Sequence, residues 1–249
     1  MLGRFLEIGI QTQDIRESVE FYERLGFTQA HTGDVWAHPY GVLTDGRLHL
    51  GLHQRRLDSP ALTFVRPEIA GQLEALARAG VEVTSAELGG EAFHHVGFCD
   101  PAGQAVRLLE ARTYSPVDRS ARETSRCGAF AWLSLPAADF EPVSAFWERL
   151  GLLAQQERER PFAHLPLRGA GLELALHRPR FFPEPLLVFR DPDMAARIGR
   201  LRELGIGPLE RPPRGLDVSA NALLTAPEGT VLALLEGHDA GREEDEGPA

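Results

Sequence analysis

Glu7, Gln11, His49, His53, Thr63 and Arg107 are the residues whose types and spacing could do chemistry in this chain. In FLEIGIQ (5–11) the apolar residues alternate, so Glu7, Gly9 and Gln11 face one way and Leu6, Ile8 and Ile10 the other. In LHLGLH (48–53) the same period puts His49, Gly51 and His53 on one face. A carboxylate and imidazoles at such positions can move protons near neutral pH, with Glu7 and His49 as the acid/base candidates. A guanidinium such as that of Arg107 anchors an anion. Glu7, His49 and His53 could alternatively hold a divalent metal.

Other chemistries are excluded by composition. All 26 basic residues are Arg, which removes Schiff-base chemistry and a lysine-dependent phosphate loop. A net charge of -10 with no basic stripe argues against nucleic acid as a partner, and no apolar run is long enough for a membrane span. Arg55-Arg56 is too short for an anion patch, and no serine sits in a nucleophile elbow. Cys99 and Cys127 cannot make a disulfide framework, and neither has neighbours in sequence that would activate a thiolate. With no secretory signal at the start, this points to the cytoplasm. His94 and His95 are adjacent, so only one can face a given side of a strand; they read as hydrogen-bonded strand histidines, and a register slip of one would exchange them.

The elements that must position these residues come in two copies. YERLGF (22–27) returns as WERLGL (147–152), LHLGLH (48–53) as LELALH (172–177), and DPAGQAVRLLE (100–110) as APEGTVLALLE (226–236). Two homologous halves follow, 1–111 and 128–238, joined by a polar linker over 112–127 and trailed by an acidic tail over 239–249 that is expected to be disordered. Each half reads β-α-β-β-β twice. In the first, Asp14 caps a helix with Glu17 completing a capping-box-like start, and Gly26 ends it. Strands are expected near 27–32, 38–44 and 47–53; then 61–65, a helix over 68–79, and strands near 81–84, 92–99 and 104–110. The second half places helices near 139–150 and 192–204.

A strand, then Asp14, Ser18, Phe21, Tyr22, Leu25, Gly26 and Phe27, then a hairpin with Asp100, Pro101 and Gly103 resembles the vicinal oxygen chelate superfamily, which includes glyoxalase I, bleomycin resistance proteins and extradiol dioxygenases. The second half keeps Asp139, Ser144, Phe146, Trp147, Leu150 and Gly151 but has Ala226 in place of Asp100. The resemblance implies an α+β fold of two tandem domains, each of two βαβββ units forming a cupped mixed sheet that holds the ligand. It also implies an internal pseudo-dimer, and hence a monomer.

Metal-using relatives place His, Gln or Glu ligands on the first, fourth, fifth and eighth strands. The matching positions here are Glu7, His49, Ala61 and Arg107, and in the second half Trp132, Glu173, Pro185 and Ala233. Alanine cannot coordinate and a guanidinium repels a cation, so the usual metal centre is not expected; a divalent ion at Glu7 and His49 is the alternative. Glu7 and Arg107 are expected to form an ion pair. The first cup, lined by Glu7, Gln11, His49, His53, Thr63 and Arg107, would bind a small polar or anionic molecule. The second, with Trp132, Leu187, Phe189 and Ala233, reads as apolar core, with Phe181-Phe182-Pro183 at its mouth or in an exposed connector. Three functions stay open: a metal-independent small-molecule binder, an enzyme of glyoxalase-like lyase or isomerase type before a dioxygenase, and a scaffold for a protein partner.

Overall fold

A computed structural model describes residues 1–30, 37–89, 94–111, 125–213 and 215–237. The acidic tail, the linker up to residue 124, and the ends of the strands expected over 27–32 and 92–99 lie outside the described residues. No helix among the described residues is long and apolar enough to cross a membrane.

The first half runs β1 (Arg4–Gln11), α1 (Ile15–Arg24), β2 (Thr28–Ala30), β3 (Tyr40–Thr44), β4 (His49–His53), β5 (Ala61–Arg66), α2 (Leu73–Arg78), β6 (Val83–Glu87), β7 (His95–Cys99) and β8 (Ala105–Glu110). The expected helix over 68–79 is a 3-10 turn, Ala70–Gln72, followed by the short α2. The second half repeats the order with β9 (Ala129–Pro136), α3 (Phe140–Leu150), β10 (Leu153–Ala154), β11 (His164–Gly169), β12 (Leu172–His177), β13 (Leu186–Asp191), α4 (Met194–Glu203), β14 (Leu209–Glu210), β15 (Ala222–Thr225) and β16 (Val231–Glu236). Each half forms one 8-stranded mixed sheet, ordered β2-β3-β4-β1-β5-β8-β7-β6 and β10-β11-β12-β9-β13-β16-β15-β14. The architecture is α+β, as the repeats imply.

Local chemistry sets the helix ends. Asp14 accepts from the backbone N–H groups of Arg16 (2.9 Å) and Glu17 (3.3 Å), satisfying donors that the first turn leaves unpaired. Gly26, at φ +92°, supplies the left-handed turn that carries the chain from α1 into β2.

The strands bury one alternating set beneath the helices. Ile8, Ile10, Leu50, Leu52, Leu62, Phe64, Val106 and Leu108 join Trp147, Leu133, Leu174 and Leu232 in one hydrophobic cluster that runs through both halves. Leu187 and Phe189 belong to this cluster, which corrects their assignment to the second cup. Phe189 packs edge-on against Phe27 of the other half (6.3 Å) and against Phe130 (5.7 Å). Val188, paired with both Trp132 and Ala233, faces the cup instead.

A reciprocal pair of polar locks joins the halves. Trp147 of α3 donates its indole N–H to Asp100 in the β7–β8 turn (3.0 Å). In the matching contact Tyr22 of α1 donates to Glu228 in the β15–β16 turn (2.7 Å), and Ser18 donates to the same carboxylate (2.9 Å). The second turn has lost the acid at Ala226 and carries one two residues later, at the position matching Ala102.

Candidate functional site

The other face of the first sheet carries the polar residues. The register puts Glu7 opposite Thr63 and Thr63 opposite Arg107 on neighbouring strands, so all three share one row and one face. Tyr40 pairs with His53 on β3 and β4. Glu7, His49, His53 and Thr63 are all buried, while Arg107, Tyr40 and His38 are half-buried.

Glu7 does not pair with Arg107. They sit on β1 and β8 with β5 between them, about 10 Å apart at two strand spacings. The Glu7 side chain leans the opposite way, across β4, because Gly51 leaves the space: a Cβ there would stand 2.3 Å from the Glu7 carboxyl carbon. In that seat one oxygen accepts from the Tyr40 hydroxyl (2.6 Å), and the other lies 3.2 Å from His53 Nε2. His53 Nδ1 lies 2.9 Å from His38 Nε2. The Tyr40 ring covers His53 at 4.6 Å.

The predicted lining is therefore assembled in part. Glu7 and His53 come together and Thr63 lies beside them, but His49 is not a partner of the Glu7 carboxylate. Gln11 is occupied in holding the following loop: its side-chain oxygen accepts from Leu57 N–H (2.9 Å), and its own N–H donates to Ser59 (3.0 Å). Arg107 makes no hydrogen bond or ion pair among the described residues; burial and the nearby Arg55 weaken its hold on its proton, against the opposing pull of Asp58 and Glu7. Arg55, set aside as a lone pair with Arg56, thus stands near Arg107 and His38. Sequence reasoning missed His38 and Tyr40. Alternation along YGVLT, opposed to LHLGLH, places Tyr40 opposite His53 once the β3–β4 hairpin is drawn.

Gly51→Ala is expected to push Glu7 off both partners and cost about 2 kcal/mol in urea unfolding. Gly9→Ala should cost less than half as much, because its nearest contacts lie at 3.6 Å. Equal losses would show that the Glu7 seat has no special role.

His94, just before β7, lies with Nδ1 3.1 Å from the Glu110 carboxylate, and His95, the first residue of β7, lies 3.6 Å from Glu87, so each histidine is paired with a carboxylate. His95 is on the cup side, sharing its face with Gly97, which pairs with Arg107. Burial raises the pKa of both thiols, Cys127 to about 12, so neither is an activated nucleophile.

The second cup fills the same positions with other chemistry. Trp132, at the Glu7 position, stacks on His164 (4.9 Å). His177, at the His53 position, bonds Ser134 (2.8 Å) and the Phe182 carbonyl (2.9 Å). Phe162 and Phe182 pack edge-on (5.2 Å) and close the space with Leu186, Val188 and Ala233. The fifth-strand position opposite Ser134 is Leu186, where Pro185 was expected.

The donor set does not fit the divalent ion that the resemblance implies. Ala61 has no donor atom, Arg107 is cationic, and both Glu7 oxygens already have partners. Among the described residues no three His, Cys, Asp or Glu side chains gather as metal ligands.

Comparison with known proteins agrees with this architecture. Residues 4–126 match the family model of the glyoxalase/bleomycin resistance protein/dioxygenase superfamily. No curated protein sequence matches the chain. Among solved structures, catechol 2,3-dioxygenase is similar at a TM-score of 0.59 and 14% identity, over 96% of this chain and 89% of that one. A variant homoprotocatechuate 2,3-dioxygenase from B. fuscum, in complex with HPCA, gives 0.62 and 15% over 96% and 72%. The Arthrobacter globiformis enzyme gives 0.60 and 16% over 95% and 80%. At these identities the likeness is one of fold. Residues 4–126 belong to the glyoxalase/bleomycin resistance protein/dioxygenase superfamily, and residues 129–236 build the same strand order a second time.

Proposed function

We propose that the first cup binds a small anionic molecule without a metal at the family position, and that the second half is its structural counterpart. The observation that carries this is Arg107: a half-buried guanidinium on the cup face, with no hydrogen bond or ion pair among the described residues. A desolvated cation is costly unless something answers it, and an anion is the economical answer. Thr63 beside it offers a hydroxyl, and Arg55 adds a second positive charge. With both cysteines free, the reducing cytoplasm is the compartment this reading expects.

Thermal unfolding in a panel of small carboxylates and inorganic phosphate, at fixed ionic strength, tests it. At least one should raise Tm by several degrees at about 100 times its Kd. Arg107→Gln should remove the rise while leaving the ligand-free Tm within about 2 °C of the parent. A panel with no response favours the scaffold reading.

A second reading, an acid/base enzyme of the lyase or isomerase type, is favoured by the run of hydrogen bonds from Glu7 through His53 to His38.

A further inference from the structure

We infer that the molecule held by Arg107 carries a hydroxyl or oxo oxygen on its chain, that this oxygen sits above Gly9 beside the Thr63 hydroxyl, and that Gly9 and Thr63 are the residues that select it. The ligand is thus a short hydroxy- or oxo-acid. Its charged end rests on the anion-binding reading above. Its oxygen comes from the geometry around Gly9 and from what fills the same place in the second half.

Gly9 leaves a gap in the floor of the cup. It lies in a regular strand outside the left-handed region, so its backbone does not call for glycine, and the missing side chain is the feature to explain. A Cβ there would meet nothing closer than 3.6 Å, and the atoms at that distance are Thr63 Oγ1, His53 Nε2 and the Ala61 carbonyl oxygen. A space ringed by polar atoms suits an oxygen better than a methyl group. One member of the ring is unanswered: Thr63 is 3% exposed, and its hydroxyl makes no hydrogen bond among the described residues. A hydroxyl shut away from water without a partner costs free energy until one arrives. It can donate to an oxo oxygen or accept from a hydroxyl, so both classes of acid fit.

The second half shows an oxygen in that place. Gly9 pairs with Gly51 and Ala61, and its counterpart Ser134 pairs with Ala175 and Leu186. The Ser134 hydroxyl fills the gap from the chain itself and bonds His177, the counterpart of His53, at 2.8 Å. Where that oxygen is built in, the groups that would recognise a ligand are gone: Val188 stands for Thr63 and Ala233 for Arg107. The first half has the opposite set, a gap with no oxygen of its own beside an unpaired hydroxyl and a guanidinium.

One short molecule spans the two. Thr63 stands directly opposite Arg107 on the neighbouring strand, about 5 Å away at one strand spacing, and its hydroxyl borders the Gly9 gap. The charges that act on the guanidinium, Arg55, Asp58 and Glu7, belong to β1 and to the segment after β4, which lie on the Gly9 side of β8. A carboxylate on Arg107 and an oxygen above Gly9 are therefore separated by the width of Thr63, a span that a chain of about three to five carbons covers.

The full chain labelled with 15N in arginine provides the test, with the Arg107 Nε–H signal, assigned by its loss in Arg107→Gln, as the reporter. Butyrate, 2-hydroxybutyrate, 3-hydroxybutyrate and 2-oxobutyrate are titrated at equal ionic strength and pH. At least one of the oxygen-bearing acids should bind about 3–10-fold tighter than butyrate, the gain from one hydrogen bond. Gly9→Ala fills the gap with a methyl group, and Thr63→Val removes the hydroxyl; each should bring that ratio close to one. The two changes remove different sides of the same seat, so if one variant fails to fold the other decides. A ratio near one in the parent, with butyrate still shifting Arg107, overturns the seat and leaves anion binding standing. So does a preference that survives either change. No shift of the Arg107 signal by any of the four acids overturns both.

Discussion

Asp100→Ala is expected to lower the unfolding free energy by about 3 kcal/mol, more than most single changes in a carboxylate. Asp100 is buried, and it holds two structures at once. One oxygen accepts from the backbone N–H groups of Ala102 (2.9 Å) and Gln104 (2.8 Å), and so closes the β7–β8 turn. The other accepts from Trp147 of the second half. Alanine would strand a fully buried indole N–H together with two turn amides. Tyr22→Phe breaks the mirrored lock more gently, at about 1 kcal/mol, because Glu228 keeps Ser18. Urea midpoints of both variants check this. An Asp100→Ala protein within 1 kcal/mol of the parent would mean that Trp147 is held by its apolar packing alone.

Acidification is expected to weaken the second half through His177. Burial, the strongest of the forces on its ring, lowers its pKa from 6.5 to about 4. The folded ring is then neutral at a pH where the unfolded ring is already charged. The sign follows: nothing is lost above pH 6.5, and stability falls as the pH drops from 6.5 toward 4. The loss over that window is about 3 kcal/mol, at 1.36 kcal/mol per unit. His164, whose pKa is lowered by burial first, pulls in the same direction. Denaturant midpoints at pH 7.5 and 4.5 measure the drop. His177→Gln retains a donor for the Phe182 carbonyl but cannot become charged, so it should start less stable and show a flatter pH dependence. An unchanged slope would place the acid sensitivity elsewhere.

Alternation made much of the first cup legible, because Glu7, His49, His53 and Arg107 lie in segments where polar and apolar residues take turns. What it could not supply is the order of strands. Glu7 and Arg107 share a face, yet a whole strand separates them, and the gap on β4 that draws Glu7 away is a single missing Cβ at Gly51. His38 lies just before a strand, outside any periodic pattern. In β13 the run Leu-Leu-Val-Phe is apolar throughout, so no period shows which residues face the cup and which, like Leu187 and Phe189, turn to the core. The Asp100 turn was readable as a local hairpin, but not its reach across 47 residues to Trp147. One signal for it was present in the repeats: Tyr22 becomes Trp147, and the acid of the facing turn changes place at the same time.

That paired change has a consequence for self-recognition. In a duplicated protein with identical halves, each half would fit a copy of itself as well as its neighbour. Here Tyr22 donates from a phenol and Trp147 from an indole, and each meets a carboxylate carried at a different position of its turn. Two first halves brought together in the same arrangement would set a phenol against the acid placed for an indole, and two second halves would do the reverse. The chain has turned a symmetric joint into a key and a keyhole, so that its own other half is the partner each is cut to accept.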